Sequence, residues 1–289
     1  MAKCKLCGKK GLFLRVSSDG FCSDCVARIQ ATKLAEEKRR AEEAERKRRA
    51  EEEYAARKKA ADERLRQKMD EYNAMVQAIK ENPVVISAKP APQLPGSLVD
   101  EIVFSNITKK TPRGDLGNFV ALDVETTGLY PSKSEVIDIA AIRFRDWRPV
   151  EKFTSLLSPK KGIPAEATKI NGITEDMVAG KPTFQQIAES LKEFIGDDNL
   201  VGHNLEFDLG FVVKYGVDIT EQERKYYDTL SIAQRTVKRV KSIEGNGVED
   251  HKLKTLCVWY GIPNPKGHRA ESDALAVGLL FKKLADDRQ

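Results

Sequence analysis

From Phe119 onward, apolar and polar positions fall into blocks that predict strands and helices in turn. Phe119 to Val124, Val136 to Phe144, Phe153 to Leu157 and Asn199 to Gly202 read as buried-type strands. Helical spacing follows near Phe184–Ile195, Leu205–Tyr215, Leu253–Tyr260 and Ala270–Leu284. Strands alternating with helices imply an α/β sheet flanked by helices. The pattern before this region is different. Residues 28–80 hold no Pro or Gly and are dominated by Ala, Glu, Lys and Arg, which predicts one long helix. Glu36–Arg40, Glu42–Arg46, Glu43–Lys47, Glu45–Arg49, Glu53–Arg57 and Asp62–Arg66 place an acid four residues before a base. Each such pair adds only ~0.2–0.5 kcal/mol, but together they support an exposed helix without a partner. Its first half offers mostly Ala at interior-type positions, which argues against a stable coiled coil there. Leu65, Met69, Tyr72, Val76 and Ile79 then form a short apolar stripe that could self-pair, dock on this protein or dock on another.

Asn82-Pro83 is expected to end the helix, because proline disfavours helical geometry in the residue before it. Pro83, Pro90, Pro92 and Pro95 suggest a semi-rigid extended linker. Leu98 to Ile107 is more apolar and fits lying on the next domain, and Lys109 to Asn118 returns to linker character. The expected organisation is a Cys4 module at 1–27, a charged helix at 28–80, a Pro-rich linker at 81–117 and an α/β domain at 118–289.

Composition adds limits. The 289 residues are 40% hydrophobic, enough for a core, and 32% charged, above an average globular mix. No apolar run approaches the ~18 residues of a membrane helix. Met1 to Lys10 is polar and basic without an apolar stretch, so no secretion signal is read and a cytoplasmic location is expected. The net charge of +5 is uneven. Residues 119–289 carry 24 basic and 26 acidic side chains, whereas residues 28–80 carry 16 and 12. This is too mild to identify a nucleic-acid binder by charge alone.

Four cysteines fall in the first 25 residues as Cys4-x2-Cys7 and Cys22-x2-Cys25. Two such knuckles can supply four thiolates to one tetrahedral Zn²⁺, and so short a segment would need the metal to fold. A disulfide pair or redox motif is the alternative, less favoured in a reducing cytoplasm.

The chemistry-bearing pattern lies in the α/β region. Phe119-Val-Ala-Leu-Asp123-Val-Glu125 is an apolar strand broken by two acids, and positions i and i+2 share one face. Two such carboxylates repel each other and lose hydration, a penalty that divalent cations would remove; a strand end emerging into solvent is the bland alternative. Thr126-Thr127-Gly128 opens a tight loop. A second element, Val201-Gly202-His203-Asn204-Leu205-Glu206-Phe207-Asp208, ends a strand and starts a helix. A third, His268-Arg-Ala-Glu-Ser-Asp273, leads into a helix near Ala270.

In this order the three elements closely resemble the DEDDh exonuclease family, named for four acids and a histidine: Asp123 and Glu125, then Asp208, then His268 with Asp273. Asn171-Gly172-Ile173-Thr174 and His251-Lys252-Leu253-Lys254-Thr255-Leu256 fit as accessory features. The resemblance spans about residues 118–286. It implies an RNase H-like mixed sheet flanked by helices, and two Mg²⁺ or Mn²⁺ ions for hydrolysis at phosphorus. By that analogy Asp123 bridges both ions, Glu125 and Asp273 hold the first, and Asp208 holds the second largely through water. His268 is the implied general base. The implied reaction releases nucleoside 5′-monophosphates from 3′ ends. Thr126, Thr127, Gly128, Leu129, Asn171, Ile173, Asn204 and Phe207 are the implied seat of the terminal nucleotide.

Single-stranded DNA is the favoured substrate, in proofreading or repair. A 3′→5′ exoribonuclease is the alternative, as is a partner-binding adaptor that uses the nuclease fold as scaffold. A protein partner could meet the zinc module or the helix; a polymerase complex is analogy alone. His203 reads as structural, His251 as exposed and Cys257 as a buried small hydrophobe. Arg235, Lys238, Arg239 and Lys241, near the Gly245-Asn246-Gly247 loop, read either as phosphate contacts or as a solvated helix face.

Overall fold

The computed structural model describes residues 2–12, 14–220, 223–240 and 247–287. The chain divides into two compact units, Met1–Lys68 and Met69–Gln289. Among the described residues no helix is long and apolar enough to cross a membrane.

In the first unit, strands β1 (Ala2–Lys3) and β2 (Lys10–Gly11) pair antiparallel. Cys4, Cys22 and Cys25 are buried, with Leu14 and Phe21 packed against them. Helix α1 (Ser23–Ala78) starts here, five residues before the sequence-predicted boundary. Residues 30–68 are exposed throughout. The expected ladder is present at Glu36–Arg40, Glu45–Arg49 and Glu53–Arg57, with N–O separations of 3.3, 2.6 and 2.6 Å. Local helix energetics alone support this stretch, since it buries almost no apolar area.

The second unit begins within α1. Met69, Tyr72, Met75, Val76 and Ile79 join the core beneath α9 (Ala270–Asp286) and its neighbours, so the apolar stripe docks on its own chain. The helix ends at Ala78, before Asn82-Pro83, because Lys80–Glu81 becomes strand β3 and pairs in parallel with Glu151–Lys152. A tertiary hydrogen-bonding partner overrides the helical propensity of these polar residues.

The other strands are β4 (Phe119–Thr126), β5 (Val136–Arg145), β6 (Arg148–Leu156), β7 (Asn199–Gly202) and β8 (Tyr226–Asp228). The sheet order is β3-β6-β5-β4-β7-β8. Its centre, β4, runs antiparallel to β5 and parallel to β7. One face, including Phe119, Ala121, Ile142 and Phe144, packs against α7 (Thr229–Thr236), α8 (Leu253–Tyr260) and α9. The other, including Val120, Leu122, Ile139 and Phe153, packs against α5 (Phe184–Ile195) and α6 (Leu205–Lys214). This mixed sheet flanked by helices is the expected RNase H-like architecture. Burying each such Phe, Leu or Ile contributes ~1.5–3 kcal/mol.

Two close contacts set the frame. The β5–β6 turn holds Asp146 and Trp147 at φ +47° and +66°, and Trp147 packs against Phe119 and Phe281. Gly278 lies so near Phe144 that a Cβ there would sit 2.2 Å from the ring, so α9 meets the sheet at a distance only glycine permits.

The Pro-rich segment read as a linker is extended, but it is also bound to the domain. Asn82, Ser87 and Ala91 donate backbone hydrogen bonds to Lys152, Gln186 and Gln185, and Ser105 donates to Tyr226. Val84, Leu94, Leu98 and Phe104 cover the α5–α6 face, and Val99 is buried there.

Candidate active site

The carboxyl end of β4 gathers the predicted acids. Asp123 shares the face of Ala121 and points toward α9, with Glu125 two residues on. A register shift against β5 between Glu125 and Thr126 ends the regular ladder at this point. Asp208, in the first turn of α6, is buried, and its carboxylate accepts the Val124 N–H at 3.0 Å. Asp273, in the first turn of α9, is buried and accepts from the His268 N–H at 2.8 Å. Glu125, His268 and Asp273 each offer a ligand atom within 4.8 Å of the others.

Burial pushes the Asp123 carboxyl well above its ordinary range, and the charges of Asp208, Asp273 and Glu125 push it further. Burial likewise raises Asp208 strongly and Asp273. Glu125 is raised to about 8 by burial, then by Asp273 and Asp138, against the opposing pull of Arg269. An all-oxygen cluster whose members resist ionisation for want of positive charge suits hard divalent cations.

His268 is exposed and sits at φ +64°, a backbone region costly for a residue with a Cβ. One of its ring nitrogens lies within 4.8 Å of carboxylate oxygens of Glu125 and Asp273. A cleft of about 1190 Å³ runs from His268 and Asp273 past Ile170 and Val258 to Lys254 and Arg239.

The residues expected to seat a nucleotide fall into distinct groups. The Thr126 hydroxyl donates to the Gly128 carbonyl at 2.7 Å, and Thr127 exchanges hydrogen bonds with Glu135, so the loop is rigid. Leu129 is exposed, Phe207 is half-buried against Phe211, and Asn204 is exposed at φ +66°. Ile173, expected at the nucleotide seat, is instead 0% exposed and packs in the core with Ile137 and with Val178 of α4 (Glu175–Val178). Asn171 is also buried; it bonds the Glu125 side chain and accepts the Ile173 N–H. The apolar residue that α3 (Ala165–Asn171) presents to the cleft is Ile170.

Three participants were not read from the sequence. Asp138, cross-strand from Glu125, is buried and accepts from Arg269 Nε at 2.9 Å. It is an acid in an apolar strand, the same signal that marked Asp123. Asn264 donates to Asp273 at 2.5 Å, and Ser272 donates to Asn264 at 2.6 Å.

His203 lines the cleft; its Nδ1 donates to Thr229 Oγ1, whose own proton goes to the Gly202 carbonyl, and burial lowers its pKa to about 4. His251, expected to be exposed, is half-buried and donates from Nε2 to the Val237 carbonyl. Cys257 is buried, as read. In the basic run, Arg235 bonds Asn106 and Arg239 donates to the Glu249 carbonyl; Lys241, Gly245 and Asn246 lie outside the described residues.

In the first unit, Cys4, Cys7, Cys22 and Cys25 converge, with one sulfur from each within 4.8 Å of the others. The Cys22 N–H points at Cys4 Sγ at 3.3 Å, and such backbone donors pull the Cys4 thiol down to about 6. Amide donors aimed at a sulfur favour thiolate, the form that binds metal.

A family model, RNase_T, described as an exonuclease, matches residues 120–281. The chain is 36% identical over 172 residues to the DNA polymerase III subunit epsilon of Aquifex aeolicus (strain VF5), covering 59% of this chain and 82% of that protein. It is 32% identical over 174 residues to a DNA polymerase III PolC-type of Clostridium perfringens (strain 13 / Type A), covering 58% of this chain but only 12% of that relative. Escherichia coli Exonuclease I in complex with a dT13 oligonucleotide shares the fold, with a TM-score of 0.51 at 19% identity over 59% of this chain and 41% of that one.

Proposed function

The chain belongs to the RNase_T exonuclease family, and from that premise we propose that it shortens single-stranded DNA from the 3′ end, releasing nucleoside 5′-monophosphates. The observation that carries this reading is the convergence of Glu125, His268 and Asp273 within 4.8 Å, with Asp123 and Asp208 beside them at the end of β4. Asp123, Glu125, Asp208 and Asp273 would hold two Mg²⁺ or Mn²⁺ ions. When bound, these supply the positive charge that stabilises attacking and leaving oxygens at phosphorus. His268, exposed beside Glu125 and Asp273, takes the proton of the attacking water and returns it to solvent. The rigid Thr126–Gly128 loop, Leu129, Asn204 and Phe207 hold the terminal nucleotide, and the cleft toward Lys254 and Arg239 takes the strand behind it. The name of the Aquifex aeolicus relative and the dT13 strand bound to Exonuclease I favour DNA over RNA. The four converging cysteines would hold one structural Zn²⁺.

Matched 5′-labelled single-stranded DNA and RNA, incubated with Mg²⁺, test the reading, with His268→Ala as control. Stepwise 3′ shortening of DNA is expected. Preference for RNA would move the enzyme to RNA processing, and shortening of neither would end the enzymatic reading.

A further inference from the structure

Asp273 sits among like charges, with Glu125 and Asp123 nearby. Left to itself its carboxylate would swing away from them. Two donors oppose this: the His268 N–H on one oxygen and Asn264 Nδ2 on the other, at 2.8 and 2.5 Å. An amide can only help in one orientation, since its carbonyl end would repel the carboxylate. The acceptor-only carboxylate selects that orientation, and Ser272 Oγ, donating to Asn264 Oδ1 at 2.6 Å, anchors it from behind. With its proton committed to Asn264, Ser272 can only accept from Tyr72, whose hydroxyl lies 3.4 Å away. Tyr72 belongs to the last turns of α1 and is buried, as is Ser272.

We propose that Tyr72, Ser272 and Asn264 form a one-way hydrogen-bond relay that fixes the Asp273 carboxylate for cation binding, making the end of α1 a positioning element of the nuclease site. The proposal rests on the reading of Asp273 as a cation-holding carboxylate. The three residues are positioning residues, and their influence falls with distance from Asp273. The shortest links are the inner two, and the Tyr72 contact is the longest.

The test uses the full chain with Ser272→Ala and Tyr72→Phe, both of which keep the side-chain volume nearly unchanged. Two readouts are compared: kcat and KM on 5′-labelled single-stranded DNA, and Mn²⁺ affinity without substrate, from the free-Mn²⁺ resonance signal. Ser272→Ala is expected to lower kcat and weaken Mn²⁺ binding by about tenfold each, with KM little changed. Tyr72→Phe is expected to act in the same direction by about threefold. The double variant should be no worse than Ser272→Ala, because both act along one path. Variants that lower only the melting temperature, with kcat and Mn²⁺ affinity intact, would overturn the relay, and so would additive losses. A wild type that binds Mn²⁺ but shortens neither DNA nor RNA removes the exonuclease reading while the Mn²⁺ arm still decides the relay. A wild type that binds no Mn²⁺ overturns both.

Discussion

Leu65 and Tyr72 lie two turns apart on one face of the same helix, yet Leu65 is 62% exposed and Tyr72 only 7%. Up to Lys68, α1 is held by propensity and by surface pairs between acids and bases four residues apart. From Met69 it is held by burial, and Tyr72 hydrogen-bonds Ser272, which in turn bonds Asn264. The two units differ in the same way. One has three buried cysteines and little apolar interior; the other has a sheet packed on both faces. A sequence pattern that looks continuous can therefore pass from self-supporting to packing-dependent within a single turn.

The largest expected effect breaks the first unit alone. A zinc chelator should expose all four N-terminal cysteines to thiol reagents, since metal binding in so small a module supplies ~10 kcal/mol or more of its folding free energy. Melting of the second unit should not move. Unchanged thiol reactivity would count against a metal. The converse experiment is Asp123→Ala, expected to cost at least ~10³-fold in rate, about 4 kcal/mol, while helix content by circular dichroism is retained.

Just past the end of α1, Ile79→Ala should destabilise by ~2–4 kcal/mol, because it empties a buried site. Leu65→Ala should stay within ~0.5 kcal/mol; equal losses in chemical denaturation would erase the contrast. A subtler distinction concerns pH. Glu125 has a folded pKa near 8 against an unfolded value near 4.5, so the cation-free fold loses stability as pH rises through that window. Asp123, Asp138 and Asp273 oppose its ionisation, and Arg269 aids it. Mn²⁺ should therefore raise the melting temperature of the second unit more at pH 8 than at pH 6, by about 2–4 °C. The smallest effect is Arg57→Ala, worth about 0.3–0.5 kcal/mol of helix stability at most.

Much of the acidic cluster is legible in the sequence because an acid in an apolar strand is conspicuous. Asp123 and Glu125 show it, and Asp138 carried the same mark inside Val136 to Phe144, though the family motif gave no reason to stop there. Asn264 and Ser272 had no local signature; their role exists only because α9 and the turn before it approach each other. Ile173, just past α3, packs into the core, whereas Ile170 on α3 lines the cleft, a difference that no local apolar pattern records. Strand β3 is two polar residues recruited by β6, invisible to any apolar pattern. Helix α7 was missed despite its signal, since Asp228 caps it by accepting from the Leu230 and Ser231 N–H groups.

The family match begins at residue 120, but packing places the start of this domain near Met69. A fragment cut at the family boundary would lose β3, the covering segment and Tyr72 together.

Gly278 carries its own consequence. One turn and a half beyond Asp273, it is where α9 is pinned against Phe144. Adding a single methyl group would lift the helix from the sheet and carry Asp273 away from Asp123 without altering one charged atom. The tolerance of the nuclease site is thus set by a residue that has no side chain to take part in it, as the depth of a hinge recess decides whether a door can close.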